Sequence, residues 1–374
     1  MQQENKIKLT EYFEDIDDPR EKLKSIRHKL VDIITIAVCA IISGAEGWND
    51  IEQYGKQKKS FFKKFLELPN GIPSHDTFRR VFTLIDSTQF RKGFIKWVRT
   101  ITKLAKGKIV AVDGKTVRRS HKDGESPIHI VSAWAQDNNV VLGQLKTKEK
   151  SNEITAIPEL LDILDIKGSI ITIDAMGCQK DIAEKIIEKE ADYILALKGN
   201  QGNIHKEVKK IFENELEKVK YEFHEENTKG HGRIENRKCT SIILENQAIG
   251  LKEINKWKGL KSIVRIESQR EYKNKISTET RYYISSLETN AKEFNESIRK
   301  HWSIENSLHW VLDVAFREDD SRIRTGNSAE NLVILRHMAL SLLKQEKSLK
   351  RGVKGKRLMA AWSDDYLLKV LGIS

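Results

Sequence analysis

Three acidic residues are placed where they could do chemistry together. Asp113 follows the apolar run Ile109–Val112, and Asp174 closes the run Ile170–Ile173. Glu305 lies in Arg299-Lys300-His301-Trp302-Ser303-Ile304-Glu305-Asn306, whose apolar residues recur at helical spacing. Two strand-borne aspartates and one helix-borne glutamate could form a carboxylate pocket for divalent cations. Mg²⁺ is a hard ion held by a few carboxylates together with water and substrate phosphate, so three acids suffice. Two such ions about 4 Å apart can serve the attacking and leaving oxygens of a phosphodiester. One acid must then bridge the ions, and Asp113 is the choice. Mn²⁺ is an expected substitute.

Each acid also has a plainer reading. Asp113-Gly114 is a common turn dipeptide. Asp174 could cap the helix that follows. Glu305 could be a solvated helix position. His301, Glu305, His309 and Asp313 recur at four-residue steps, so a zinc site of the two histidines with Glu305 is a further alternative that lacks the usual close spacing.

Cations accompany the acids. Lys115, Arg118, Arg119 and Lys122 follow Asp113, Lys198 closes an apolar run, and His231 and Arg233 sit in Gly230-His231-Gly232-Arg233. They read as phosphate contacts or as solvated turns. Arg317, Arg322 and Arg324 flank Glu318-Asp319-Asp320. Those acids could be alternative metal ligands or part of a salt-bridged surface loop.

The elements that must position these residues follow from periodicity. Residues 1–105 read as a helical N-terminal domain. Leu30–Ile42 is a buried helix stopped by Gly44, a turn runs over Pro69–Pro73, and Ser74 caps a helix bearing Arg79 and Arg80, candidate DNA contacts. Residues 106–199 run strand, strand, strand, helix, strand, helix, strand: Lys108–Asp113, Ile128–Gln136, Val140–Thr147, Glu153–Leu164, Ser169–Asp174, Asp181–Lys189 and Tyr193–Leu197. That order predicts an α/β fold, a mixed sheet with flanking helices. Residues 200–285 hold a charged helical run over Lys206–Tyr221 and β-rich stretches at Arg237–Leu244, Ser262–Glu267 and Thr280–Ile284, read as an insertion. Residues 286–345 resume the core, with one helix from Asn290 through Glu305 to about Val314 and a second over Ala329–Leu343. Residues 346–374 read as a basic tail docked weakly through Trp362 and Leu367.

The chain has 374 residues, 39% of them hydrophobic, and a net charge of +12 despite 54 acidic residues. Its pI is about 9.3. The length suits two or three domains and the basic excess suits a phosphate polyanion. Cys39, Cys178 and Cys239 are too few and scattered for a disulfide framework. Met1–Thr10 is polar and Leu30–Ile42 is short of a membrane span, so no membrane association and a cytoplasmic location are expected.

Several motifs in order resemble one family across nearly the whole chain: Asp18-Pro19-Arg20, Ile72-Pro73-Ser74-His75-Asp76-Thr77-Phe78, Val112-Asp113-Gly114-Lys115, Ile173-Asp174-Ala175-Met176-Gly177-Cys178-Gln179, Leu197-Lys198-Gly199-Asn200-Gln201, Gly230-His231-Gly232-Arg233 and His301-Trp302-Ser303-Ile304-Glu305-Asn306. The chain resembles bacterial insertion-sequence transposases of the DDE type, in the H-repeat-associated branch. The resemblance implies a ribonuclease-H-like core interrupted by a β-rich insertion, with Asp113, Asp174 and Glu305 as the metal-binding triad. It implies hydrolytic cleavage of double-stranded DNA at the element ends and joining of the freed 3′-hydroxyl to target DNA. Holding two ends together implies a homodimer. Relatives carry a tyrosine, an arginine and a lysine around the glutamate, where this chain has Ile298, His301 and Leu312. That departure argues against the hairpin-type end processing of some relatives and leaves the metal triad intact. The remaining alternatives are a nuclease of the same fold that does not join strands, and a DNA-binding derivative without catalysis.

Overall fold

The computed structural model describes residues 11–20, 26–102, 104, 106–122, 124–147, 152–230, 232–245, 252–273, 275–288 and 290–373. The decapeptide Met1–Thr10 and His231 lie outside these residues.

The first helices are built by apolar periodicity and local caps. Helix α1 (Leu30–Ile42) is buried at every position but Val31. It ends where Gly44 takes φ +112°, a conformation that a side chain resists. Helices α2 (Trp48–Gln57) and α3 (Lys59–Phe62) follow. Helix α4 (His75–Leu84) starts at Ser74, whose hydroxyl accepts from the Thr77 amide as expected of an N-cap. Asp86 caps α5 (Ser87–Ile101) in the same way.

One nine-stranded mixed sheet organises the rest, in the order β3-β2-β1-β4-β5-β9-β8-β7-β6. Strands β1 (Ile109–Thr116), β2 (His129–Ala135) and β3 (Val140–Thr147) form an antiparallel meander. Helix α6 (Glu153–Ile163) then crosses over to β4 (Ile170–Ile173), which lies parallel to β1. Helix α7 (Lys180–Glu188) leads to β5 (Asp192–Leu197), parallel to β4. Parallel neighbours need such crossovers, and helices supply them while covering the sheet.

After β5 the chain forms α8 (Gly202–Lys210), a wider π-helical turn at Ile211–Glu215 and a short 3₁₀ turn. The helical run expected over Lys206–Tyr221 therefore begins earlier, at Gly202, and passes from α through π to 3₁₀ before ending at Lys218. Four antiparallel strands follow: β6 (Glu222–Gly230), β7 (Arg233–Ile243), β8 (Ser262–Tyr272) and β9 (Lys275–Ser285). Strand β9 pairs with β5, so these strands extend the central sheet.

Helix α9 (Ala291–His301) is capped by Asn290, which accepts from the Glu293 amide. The single helix expected through Val314 is interrupted. A π-helical turn occupies Glu305–His309, closed by the Trp310 amide donating to the Glu305 carbonyl, and α10 (Trp310–Phe316) continues from it. Helix α11 (Ser328–Gln345) is buried along nearly its whole length and packs on α1 and β3. The last residues form α12 (Val353–Trp362) and α13 (Asp364–Val370). This end is docked more firmly than its basic composition suggests. Leu367 is fully buried, whereas Trp362 is exposed. Arg357 donates to the Ile41 carbonyl at the end of α1, and Lys356 to the Leu343 carbonyl in the last turn of α11. Both cations meet carbonyls that have no partner within their helices. Among the described residues no helix is long and apolar enough to cross a membrane, and all three cysteines are buried and unpaired.

Candidate active site

Asp113 and Asp174 owe their proximity to strand register. Val112 is aligned with Ile173 across the parallel pair β1–β4, so the two aspartates leave adjacent strands side by side. Asp113 is itself within β1, aligned with Ser132 of β2, and not in a turn. Gly114 is required there for a different reason: a Cβ would overlap the Glu153 carboxylate and the His129 imidazole, which pack against that face of the strand.

Asp174 begins a turn. Its Oδ1 accepts from the Met176 amide at 3.0 Å and from the Gly177 amide at 3.4 Å. Gly177 fits because a Cβ would strike Ile173 and Ile157. The Asn200 side chain donates to the Ala175 carbonyl at 2.6 Å and the Gln201 amide to Gln179 Oε1 at 3.0 Å. The Lys198–Gln201 segment thereby clasps the Asp174 turn and sets Lys198 at the rim of the same cavity.

Glu305 approaches from the helical side. Its carboxylate accepts from His309 Nδ1 at 3.0 Å, and that nitrogen is 3.6 Å from Asp113 Oδ2. Ligand atoms of Asp113, Glu305 and His309 all lie within 4.8 Å of one another. His309 is 4% exposed. His301 borders the same cavity but pairs its Nδ1 with the Thr172 hydroxyl of β4 at 3.0 Å, and among the described residues the cluster of ligand atoms holds Asp113, Glu305 and His309 without it, so the two histidines do not converge with Glu305 on one point as the zinc alternative required. Ile298 and Leu312 are both buried in the interior and offer no polar group to the site.

Asp113, Asp174 and Glu305 all line one cavity of about 760 Å³, together with Lys198, His205, Lys209, Arg281, Tyr282 and Trp302. The Arg281 guanidinium lies 4.4 Å from the centre of the Trp302 ring, tying β9 to the segment that carries Glu305.

Electrostatics distinguish Asp113 from Glu305. Burial pushes the Asp113 carboxyl up to about 6, with the carboxylates of Asp174 and Glu153 adding to the effect and His309 opposing it. The hydrogen bond from His309 holds Glu305 below the usual carboxylate range against a smaller effect of burial. Burial lowers His301 to about 4. The site thus concentrates negative charge where water is partly excluded, the setting in which a cation is most strongly favoured.

The cations named from sequence divide into two groups. Lys115 does not present a free ammonium for phosphate. It is largely buried, and its Nζ lies 2.7 Å from Asp313, 3.1 Å from Glu318 and 3.0 Å from Asp319. Glu318 is 1% exposed and engaged by Lys115 and Arg336, while Asp319 pairs also with Arg118 and the exposed Asp320 with Arg119 and Arg317, so the segment is salt-bridged at the surface with one acid turned inward. Arg118 is well exposed beside Asp319, Arg119 is exposed beside Asp320, and Arg79 is exposed beside Asp76. Arg80, Lys198, Arg233 and Arg322 are exposed as well. Arg233 sits at the tip of the β6–β7 hairpin.

The chain belongs to the DDE transposase family: the family model for the transposase DDE domain matches residues 104–342, and that for the DDE_Tnp_1-associated region matches residues 10–98. Among its relatives is "Putative transposase YncI" of Escherichia coli O157:H7, 47% identical over 370 residues that cover 97% of this chain and 94% of the relative. "H repeat-associated putative transposase YhhI" of Escherichia coli K12 is 44% identical over 371 residues, 97% of each chain. Among solved structures, a piggyBac transposase synaptic complex with hairpin DNA aligns with a TM-score of 0.47 at 11% identity, covering 98% of this chain and 78% of that one. The expected H-repeat-associated family is thereby established.

Proposed function

We propose that this protein is a DNA transposase that cleaves element ends by metal-dependent phosphodiester hydrolysis and joins the 3′-hydroxyl to target DNA. The observation that carries the reading is that Asp113, within β1, and Asp174, just past the end of the parallel strand β4, open on the same cavity as Glu305. The sheet order β3-β2-β1-β4-β5, an antiparallel meander followed by two parallel strands, supports a ribonuclease-H-like core.

The donor set fits a hard divalent cation. Three carboxylates face one cavity, and Asp113, raised chiefly by burial and further by its acidic neighbours, would be held ionised by a bound cation. Asp113 and Asp174 would hold one Mg²⁺, and Asp113 with Glu305 a second, with Mn²⁺ as a substitute. Bound cations would activate the attacking oxygen and stabilise the leaving one. The chain's own part is to fix these oxygens: β1 and β4 set the aspartates by register, and the helical turn sets Glu305. Rigid elements hold such groups better than loops do.

Double-stranded DNA is the proposed partner, element ends and target in turn. Lys198 at the cavity rim and the exposed Arg118, Arg119, Arg233 and Arg322 suit phosphate. The helices of residues 1–105 would recognise the ends, with Arg79 and Arg80 on the first turns of α4. Two copies would hold two ends, in the cytoplasm. The test is a nicking assay on flanking DNA. Asp113→Ala, Asp174→Ala and Glu305→Ala should each keep DNA binding and lose Mg²⁺-dependent nicking, and full activity in any of them refutes its assignment. A pre-cleaved end tested for strand transfer distinguishes a transposase from a nuclease that does not join.

A further inference from the structure

His309 is a member of this site that the acidic triad leaves unused. Glu305 and His309, four residues apart, pair their side chains across a π-helical turn closed by the Trp310-to-Glu305 backbone bond. Such turns occur mostly as single insertions and often at functional sites. The ring is buried, and only its Nδ1 edge meets partners: Glu305 at 3.0 Å and Asp113 at 3.6 Å. Nε2 is buried and has no hydrogen-bond partner among the described residues. A buried ring nitrogen without a partner carries a desolvation cost whichever tautomer is present. The ring is therefore not held by a two-sided hydrogen-bond network. All its polar contact is directed at the two carboxylates.

We propose that His309 Nδ1 is a ligand of the cation held between Asp113 and Glu305, which makes that position a mixed nitrogen–oxygen site preferring Mn²⁺ to Mg²⁺. The proposal rests on the reading of the carboxylates as metal ligands and specifies the ion at one of the two positions. Mutual distances within 4.8 Å suit three atoms around one ion. Imidazole nitrogen suits first-row transition ions, whereas Mg²⁺ keeps to oxygen and to water. The neutral ring would bind through Nδ1 with the proton on Nε2, the nitrogen that has no other role here.

The test titrates MnCl₂ into the full-length chain without DNA and reads the bound ion by pulsed electron paramagnetic resonance. The wild type should show modulation from a directly coordinated imidazole nitrogen. His309→Asn should lose that modulation and bind Mn²⁺ on the order of 10-fold or more weakly, at least the scale of losing an outer-shell partner, with a smaller change for Mg²⁺. His301→Asn should keep the modulation. Mn²⁺ bound to the wild type without nitrogen coupling, or coupling that survives in His309→Asn, overturns the assignment. Should His309→Asn fail to fold, the wild-type signal and its loss in Asp113→Ala decide the matter. If Asp113→Ala and Glu305→Ala leave Mn²⁺ binding intact, the carboxylate reading falls instead. If they abolish binding while the wild type shows no coupling, only the role of His309 falls. A wild type that binds no Mn²⁺ overturns a site preformed in the free protein.

Discussion

His129 Nε2 lies 2.5 Å from Glu153 Oε1, and this buried pair occupies the place that a side chain at residue 114 would take. The pair is held from its other side by the Thr116 hydroxyl, 2.8 Å from His129 Nδ1. One strand residue away stands Asp113. The pair therefore fixes the back of the strand whose front carries the candidate ligand.

Gly114→Ala should force that pair apart. The expected cost is about 1–3 kcal/mol, the range for overpacking a filled interior. Urea unfolding measures it. A variant as stable as the wild type would show that the pair moves freely and does not constrain β1.

Glu318 is buried among Lys115, Arg336 and His337. Burial alone would raise its carboxyl, but Lys115 and then Arg336 hold it below the usual range. Removing it leaves two buried cations short of a partner. Glu318→Ala should lower stability by about 3–5 kcal/mol, and Glu318→Gln by less. Thermal unfolding of both variants checks the order, and equal losses would remove charge from the explanation.

Asp113 gives a pH dependence of known sign. Its folded value is raised to about 6 from an ordinary 3.8, so the folded state holds the proton more tightly than the unfolded one. Its contribution to stability is complete below about pH 4 and is lost as pH rises through about 6. Asp113→Asn should accordingly stabilise the metal-free protein above pH 6, by about 2 kcal/mol once its partial exposure is discounted. The gain should vanish near pH 4. Parallel urea curves at the two pH values test this, and a gain that does not depend on pH counts against the raised carboxyl as its source.

Asp174 has two separable roles. Asp174→Asn keeps an Oδ1 that can accept from the Met176 and Gly177 amides, so its melting temperature should stay close to the wild type. Asp174→Ala removes the acceptor and should cost about 0.5–2 kcal/mol, as for a lost helix cap. Both should lose metal-dependent nicking. An active Asp174→Asn would reduce the residue to a turn former.

Much of this arrangement is legible in the sequence because it follows local rules. The apolar runs before Asp113 and Asp174 define β1 and β4, and the Ser74 and Asn290 caps mark helix starts. Strand β6 is not legible: its half-buried face is made of His224, Glu226 and Thr228, all polar, so the sequence shows no apolar alternation. The π-helical turn is hidden too, since the spacing of Trp302, Ile304, Leu308 and Val311 suits an unbroken helix. The part of His309 is visible only as one step of the stripe His301, Glu305, His309 and Asp313, in which long-range packing then separates His301 from the others. Lys115, Lys356 and Arg357 read as solvated cations by type. Their burial depends on partners such as Glu318, Glu346 and Ile41, which lie 203, 10 and 316 residues away in sequence and which composition cannot reveal.

Leaving β5 at Leu197, the chain returns as β9 to lie beside it, with Leu197 opposite Tyr282 and Ile194 opposite Ser285. Departure and re-entry therefore share one border of the scaffold. The strands that bear the aspartates are thus threaded independently of the excursion, while β9 supplies Arg281 and Tyr282 to the cavity wall. Cys239 of β7 and Val264 and Ile266 of β8 share a buried cluster with Phe294 and Ile298 of α9, so the excursion also forms the bed of the helix that leads to Glu305.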